Sequence, residues 1–94
     1  LPFILEVENP QSLTPGSQSF IYTGRIDRVI KKDDVYEVYD YKTFPVELKE
    51  IDYLLKEYSF QLGIYRKAVE KIFKADNVKS YIIFSHIGEI KEVV

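Results

Sequence analysis

The 94-residue sequence has no cysteine, no methionine, no tryptophan, a single histidine (His86), and only four glycines and four prolines. Without cysteine, disulfides, thiolate zinc sites and iron–sulfur clusters are excluded. One histidine cannot build an imidazole metal centre by itself, so any metal is expected to be a hard cation held by carboxylates. No apolar run approaches the roughly 18 residues that a membrane span needs. Glu6 and Glu8 interrupt the first apolar stretch, so the opening segment does not read as a signal peptide. A strong charge of one sign is missing too. With 13 Lys and Arg against 15 Asp and Glu, the net charge is −2, which argues against a passive basic sleeve for nucleic acid but leaves room for local patches.

What is present suffices for one small domain spanning residues 1–94. The sequence is 46% hydrophobic and 15% aromatic, and with so little net charge this composition argues against disorder. At this length the core is modest. The chain opens on Leu1-Pro2-Phe3-Ile4-Leu5 without an initiator methionine, and so abrupt an apolar start is expected of a domain excised from a longer polypeptide.

Phe3–Val7 reads as a first strand between Pro2 and Pro10. Asn9–Gln18 has the composition of a loop. Phe20–Ile30 reads as one long strand with Gly24 as a bulge or close-approach point, and Val35–Thr43 as its hairpin partner across Lys31-Lys32-Asp33-Asp34. From Asp52 to Lys74 the period changes to that of a helix. Ile51, Leu54, Leu55, Tyr58, Leu62, Tyr65, Val69, Ile72 and Phe73 form its apolar stripe, while Phe60 and Ile64 point away from it. Asp76-Asn77 is expected to stop the helix. Val78–Ser85 and Ile90–Val94 follow as strands around a turn at His86-Ile87-Gly88-Glu89. The expected fold is α+β: a mixed central sheet with a three-stranded antiparallel meander, one long helix packed on it and a following strand.

Alternation puts Asp40 and Lys42 on one face of the Val35–Thr43 strand and Tyr39 and Tyr41 on the other, which is read as the core- or helix-facing side. A hairpin pairing Lys31 with Asp34, or Ile30 with Val35, sets Asp27 opposite Val38 and Arg25 opposite Asp40. Asp27, Asp40 and Lys42 then project from the same face. Two carboxylates suit Mg²⁺, and a nearby ammonium can stabilise charge developing on a phosphate. By spacing alone, a surface Asp–Lys ion pair is the simpler reading, because an Asp-x-Lys triplet is common. On the helix, Gln61 and Tyr65 are four apart and share a face. Arg25, Arg28, Lys31 and Lys32 form either a phosphate-contacting strip or solvated hairpin residues.

Gly24-Arg25-Ile26-Asp27-Arg28, Val38-Tyr39-Asp40-Tyr41-Lys42-Thr43 and Gln61-Leu62-Gly63-Ile64-Tyr65 together resemble the RecB-family nucleases of the PD-(D/E)xK superfamily. That family carries a G-x-I-D strand, a D-Y-K-T strand and a Q-x-x-x-Y helix in this order. The Leu1-Pro2-Phe3 opening is similar to the strand that precedes the first motif in AddA- and RecB-type helicase-nucleases. The resemblance implies a restriction-endonuclease-like core whose first helix, with a further metal ligand, would precede Leu1. It implies Asp27, Asp40 and the Tyr41 carbonyl as metal ligands and Lys42 as the catalytic lysine, with Gln61 and Tyr65 bracing the site and, alongside Arg25 and Arg28, touching DNA. The implied cofactor is Mg²⁺, with Mn²⁺ as a substitute, and no iron–sulfur cluster. The implied activity is hydrolysis of DNA phosphodiesters, as an exonuclease processing DNA ends in double-strand-break repair and recombination. The implied partners are DNA, upstream helicase domains of the same polypeptide and a second helicase-nuclease subunit. No membrane is implied, and the setting is the bacterial or archaeal cytoplasm at the nucleoid. The alternatives are a degenerate, catalytically incomplete module that holds DNA or acts as a scaffold, and a purely structural domain.

Overall fold

A computed structural model describes residues 1–8 and 19–94; the loop expected at Asn9–Gln18 lies outside the described residues. The elements run β1 (Pro2–Glu8), β2 (Ser19–Arg25), β3 (Arg28–Lys32), β4 (Val35–Lys42), a 3₁₀ turn (Leu48–Glu50), α1 (Ile51–Phe73), β5 (Val78–Phe84) and β6 (Glu89–Val93). The fold is α+β with a mixed sheet and one long helix, consistent with a restriction-endonuclease-like core.

The single long strand expected over Phe20–Ile30 is two strands. β2 pairs antiparallel with β1, and β3 pairs antiparallel with β4, so the first three predicted strands become two hairpins in separate sheets. The break falls at Ile26-Asp27. Ile26 is fully buried, and its backbone N–H donates to the Leu1 carbonyl at 2.8 Å. The Asp27 carboxylate takes over from a strand carbonyl and accepts the Tyr41 N–H at 2.9 Å. A break that satisfies its backbone groups in this way carries little penalty.

The hairpin register also differs from the expected one. Lys32 pairs with Val35 and Arg28 with Tyr39, leaving a two-residue turn at Asp33-Asp34 in which Asp33 takes a left-handed φ of 56°. Aspartate tolerates that conformation better than lysine does, which moves the turn one residue beyond Lys32-Asp33. Val29 rather than Asp27 therefore lies opposite Val38. Arg25 lies opposite Pro2 in the other sheet, not opposite Asp40. The shift is an even one, so it preserves which residues share a face.

β4 and β5 run parallel, with α1 as the crossover between them, and β6 closes the sheet antiparallel to β5. The helix begins beside a reciprocal contact in which the Glu47 N–H donates to the Glu50 carboxylate at 2.9 Å. It ends at Phe73 because Lys74 turns left-handed (φ 52°), before the expected stop at Asp76-Asn77. Val38, Ile82, Phe84, Leu62, Ala68 and Val69 form the dry centre between sheet and helix.

Two faces depart from expectation. Ile64 is buried rather than exposed, because the β1–β2 hairpin brings Phe3 and Tyr22 over that side of the helix. Phe60 stays 66% exposed, as expected, with its ring edge against Tyr22. Ile72 and Phe73, read as core, lie at the exposed end of the helix, where Phe73 stacks on Tyr36. Tyr39 and Tyr41 lie on the sheet face away from the helix, not on the helix side. Val38 and Asp40 occupy the helix side, which leaves Tyr39 to stack on Tyr81 and Tyr41 to meet the Arg28 guanidinium.

Candidate active site

The C-terminal end of β4 carries Asp40 and Lys42 towards the helix, and Asp27 reaches them from the β2–β3 break. Asp40 is 5% exposed. Its Oδ2 lies 2.8 Å from Lys42 Nζ, yet that oxygen makes no aligned hydrogen bond, so the contact is a charge pairing rather than a directed bond. Burial raises the Asp40 pKa most. Lys42 opposes that shift, while hydrogen bonding and repulsion from Asp27 add to it. Lys42 is held further by the ring of Tyr58, whose centroid lies 4.0 Å from Nζ, and its own carbonyl accepts the Ser85 N–H at 3.1 Å.

From the helix, Gln61 Nε2 donates to the Tyr65 hydroxyl at 2.9 Å, while the buried Gln61 Oε1 lacks a hydrogen-bond partner. Burial raises the Tyr65 pKa, and the charges of Asp40 and Asp27 raise it further against the opposing Gln61 bond. The phenol therefore stays protonated near neutral pH. Gly24 lets this end close. A Cβ there would stand 3.1 Å from the Phe3 ring and 3.9 Å from Tyr65, and Phe3 in turn packs edge-on against Tyr65 with centroids 5.6 Å apart.

The structure thus brings together Asp27, Asp40, Lys42, Gln61 and Tyr65, with the Tyr41 backbone bonded to Asp27. It does not bring to the cluster Arg25 and Arg28, which the resemblance implied as DNA contacts. Arg25 is exposed on β2, and Arg28 projects from the sheet face away from Asp40, with Nη1 3.5 Å from the Tyr41 hydroxyl, a contact that raises its pKa. Arg28 and Lys31 do line an open cleft of about 660 Å³ that meets the cluster at Asp27. Tyr58 is the residue that sequence reasoning left in the core stripe. Its place one turn before Gln61 on the same helix face was the available signal.

Among the described residues no group of three or more His, Asp or Glu side chains forms a metal-holding cluster. The donor set suits a hard cation bound partly by protein. Asp27 and Asp40 converge, and Asp40 Oδ2 is a buried oxygen without an aligned bond. Mg²⁺ commonly takes one or two carboxylates and keeps its other positions for water and phosphate oxygens. No helix among the described residues is long and apolar enough to cross a membrane.

Comparison with known proteins gives a consistent result. The family model for the PD-(D/E)XK nuclease superfamily matches residues 3–93. The chain is 30% identical over 88 residues to an ATP-dependent helicase/nuclease subunit of Clostridium perfringens, covering 87% of this chain and 7% of that protein. It is 30% identical over 89 residues to the protein of the same name from Carboxydothermus hydrogenoformans, covering 92% and 8%. For a Streptococcus agalactiae protein, again of that name, identity is 29% over 86 residues, covering 87% and 6%. The chain therefore spans less than a tenth of the length of these curated relatives.

Proposed function

Because this chain belongs to the PD-(D/E)XK nuclease superfamily, we propose that it hydrolyses DNA phosphodiesters in a divalent-metal-dependent reaction. In this reading it is the nuclease part of a helicase-nuclease that trims DNA ends during break repair and recombination in the bacterial cytoplasm. The observation that carries the reading is the convergence of Asp27, Asp40 and Lys42 beside Gln61 and Tyr65. A structural ion pair alone would not call for two carboxylates close enough to repel each other, one of them buried.

Asp27, Asp40 and the Tyr41 carbonyl would hold Mg²⁺ or Mn²⁺, which when bound supplies an acidified water and neutralises phosphate charge. The remaining work falls to the chain's own groups. Lys42, held by Asp40 and by the Tyr58 ring, presents its ammonium to charge developing on the phosphate. The Tyr65 hydroxyl, kept protonated, is a donor for a phosphate oxygen, and Gln61 fixes its orientation. Lys31 lines the adjoining cleft, where it offers charge to a DNA backbone, while the Arg28 head, on the other face of the sheet, would meet DNA only where it wraps that edge. The helicase domains and the second subunit belong to the same proposal, drawn from the names of the relatives.

The test is a cleavage assay on linear single- and double-stranded DNA with Mg²⁺ or Mn²⁺ and an EDTA control. Lys42→Ala is expected to abolish cleavage while DNA and metal binding persist. A Lys42→Ala variant that cuts as fast as wild type would refute the mechanism. Silence with both metals from this chain and from a chain extended upstream by about one helix would assign it to the DNA-holding, catalytically incomplete class.

A further inference from the structure

Lys42 ends a four-carbon stem with free rotation about each bond, and the charge that partners it is the Asp40 carboxylate, 2.8 Å away. That partner is compromised by the site's own chemistry. A cation held by Asp27 and Asp40 would draw on the same carboxylate charge, and the Lys42 contact is not an aligned hydrogen bond to begin with. The second attraction on the ammonium is the face of the half-buried Tyr58 ring, with its centroid 4.0 Å from Nζ. An aromatic face attracts an ammonium through its quadrupole and offers no lone pair for a divalent cation to take. Tyr58 stands three residues before Gln61 and seven before Tyr65, so one helix face presents all three towards the end of β4.

We propose that Tyr58 is the positioning residue for Lys42: its ring face, not its hydroxyl, keeps the ammonium over the site when Asp40 is engaged elsewhere. The kinetic arm of this inference rests on the nuclease reading of Lys42, whereas the contact itself does not. Removing the ring frees the lysine head to swing into solvent, and the loss falls on the chemical step rather than on metal or DNA binding.

The test pairs Tyr58→Leu with Tyr58→Phe and with trifluorophenylalanine at position 58, which keeps the ring's shape but withdraws charge from its face. The expected result is a kcat lowered about 2- to 30-fold by Tyr58→Leu and by the fluorinated ring, with Tyr58→Phe at the wild-type rate. Metal affinity by calorimetry and KM for DNA should be unchanged. A readout independent of activity comes from NMR of the metal-free protein. The Lys42 ε-methylene protons should be shifted upfield by the ring current in wild type and Tyr58→Phe, and return to ordinary positions in Tyr58→Leu. Because the fluorinated ring preserves packing, a poorly folded Tyr58→Leu variant leaves the kinetic comparison intact. Wild-type rates in the fluorinated variant overturn the proposal, as does a Tyr58→Phe variant as slow as Tyr58→Leu, or unshifted Lys42 methylene protons in wild type. If neither the wild-type chain nor the extended one cleaves, the proposed function fails, and the methylene shift still decides the Tyr58–Lys42 contact.

Discussion

Asp40→Asn should make the metal-free protein more stable while destroying the site. Asp40 is 5% exposed, and its Oδ2 lacks an aligned hydrogen bond; a buried acceptor left unsatisfied costs about 1–3 kcal/mol. Lys42 pulls the Asp40 pKa down, yet the pKa is raised on balance, so the cost of burying the charge exceeds the attraction of the ion pair. Asparagine keeps the shape, removes the repulsion from Asp27, and leaves Lys42 to the Tyr58 ring. The expected gain is about 1 kcal/mol at neutral pH, or about 4–8 °C in the melting midpoint of a domain this size. The pH dependence has a definite sign. The folded-state pKa of Asp40 is raised, so the folded protein retains a proton that the unfolded chain has released. Wild-type stability therefore falls as pH rises from the ordinary carboxylate value through the raised one. The variant lacks this fall, so the gap is widest at neutral pH and closes on acidification. Saturation with Mg²⁺ should reverse the order, because metal at ten times its Kd stabilises wild type alone by about 1.4 kcal/mol. Thermal melts followed by circular dichroism, in EDTA and in Mg²⁺ across the pH range, measure all three effects. An Asp40→Asn protein less stable than wild type in EDTA at neutral pH would refute this account of the site.

Two further perturbations test the surroundings. Gly24→Val places atoms where a Cβ alone already stands 3.1 Å from the Phe3 ring. It should cost about 1–3 kcal/mol, read as a lowered melting midpoint together with reduced cleavage, because Phe3 packs on Tyr65; an unchanged midpoint would show that the ring gives way freely. Arg28→Ala should weaken binding of all DNA sequences alike and reduce the salt dependence of binding by about one phosphate contact, measured by fluorescence anisotropy across a salt series. An unchanged slope would remove Arg28 from the DNA path.

The helix was legible in detail, because its apolar stripe repeats at the helical period from Ile51 to Val69 and needs no knowledge of distant partners. Its ends were less so. Lys74, not Asp76-Asn77, turns left-handed, and the burial of Ile64 depends on where the β1–β2 hairpin comes to rest. Tyr39 and Tyr41 were placed on the wrong face for a related reason. Alternation separates the two faces of a strand but does not say which one a helix will cover.

The candidate cluster was legible in part. The order and spacing of Asp27, Asp40, Lys42, Gln61 and Tyr65 were visible as motifs, and side-chain alternation alone kept Asp40 and Lys42 together. Tertiary structure alone decided the strand break at Ile26-Asp27, which gives Asp27 its bond to the Tyr41 N–H, and the hairpin register. It also turned Arg28 to the opposite side of the sheet and set the Tyr58 ring against Lys42. Periodicity is a local property that the amino-acid order carries by itself. Which oxygen is buried, which ring meets which cation and which face is covered depend on contacts between residues distant in sequence, and these exist only once the chain has folded.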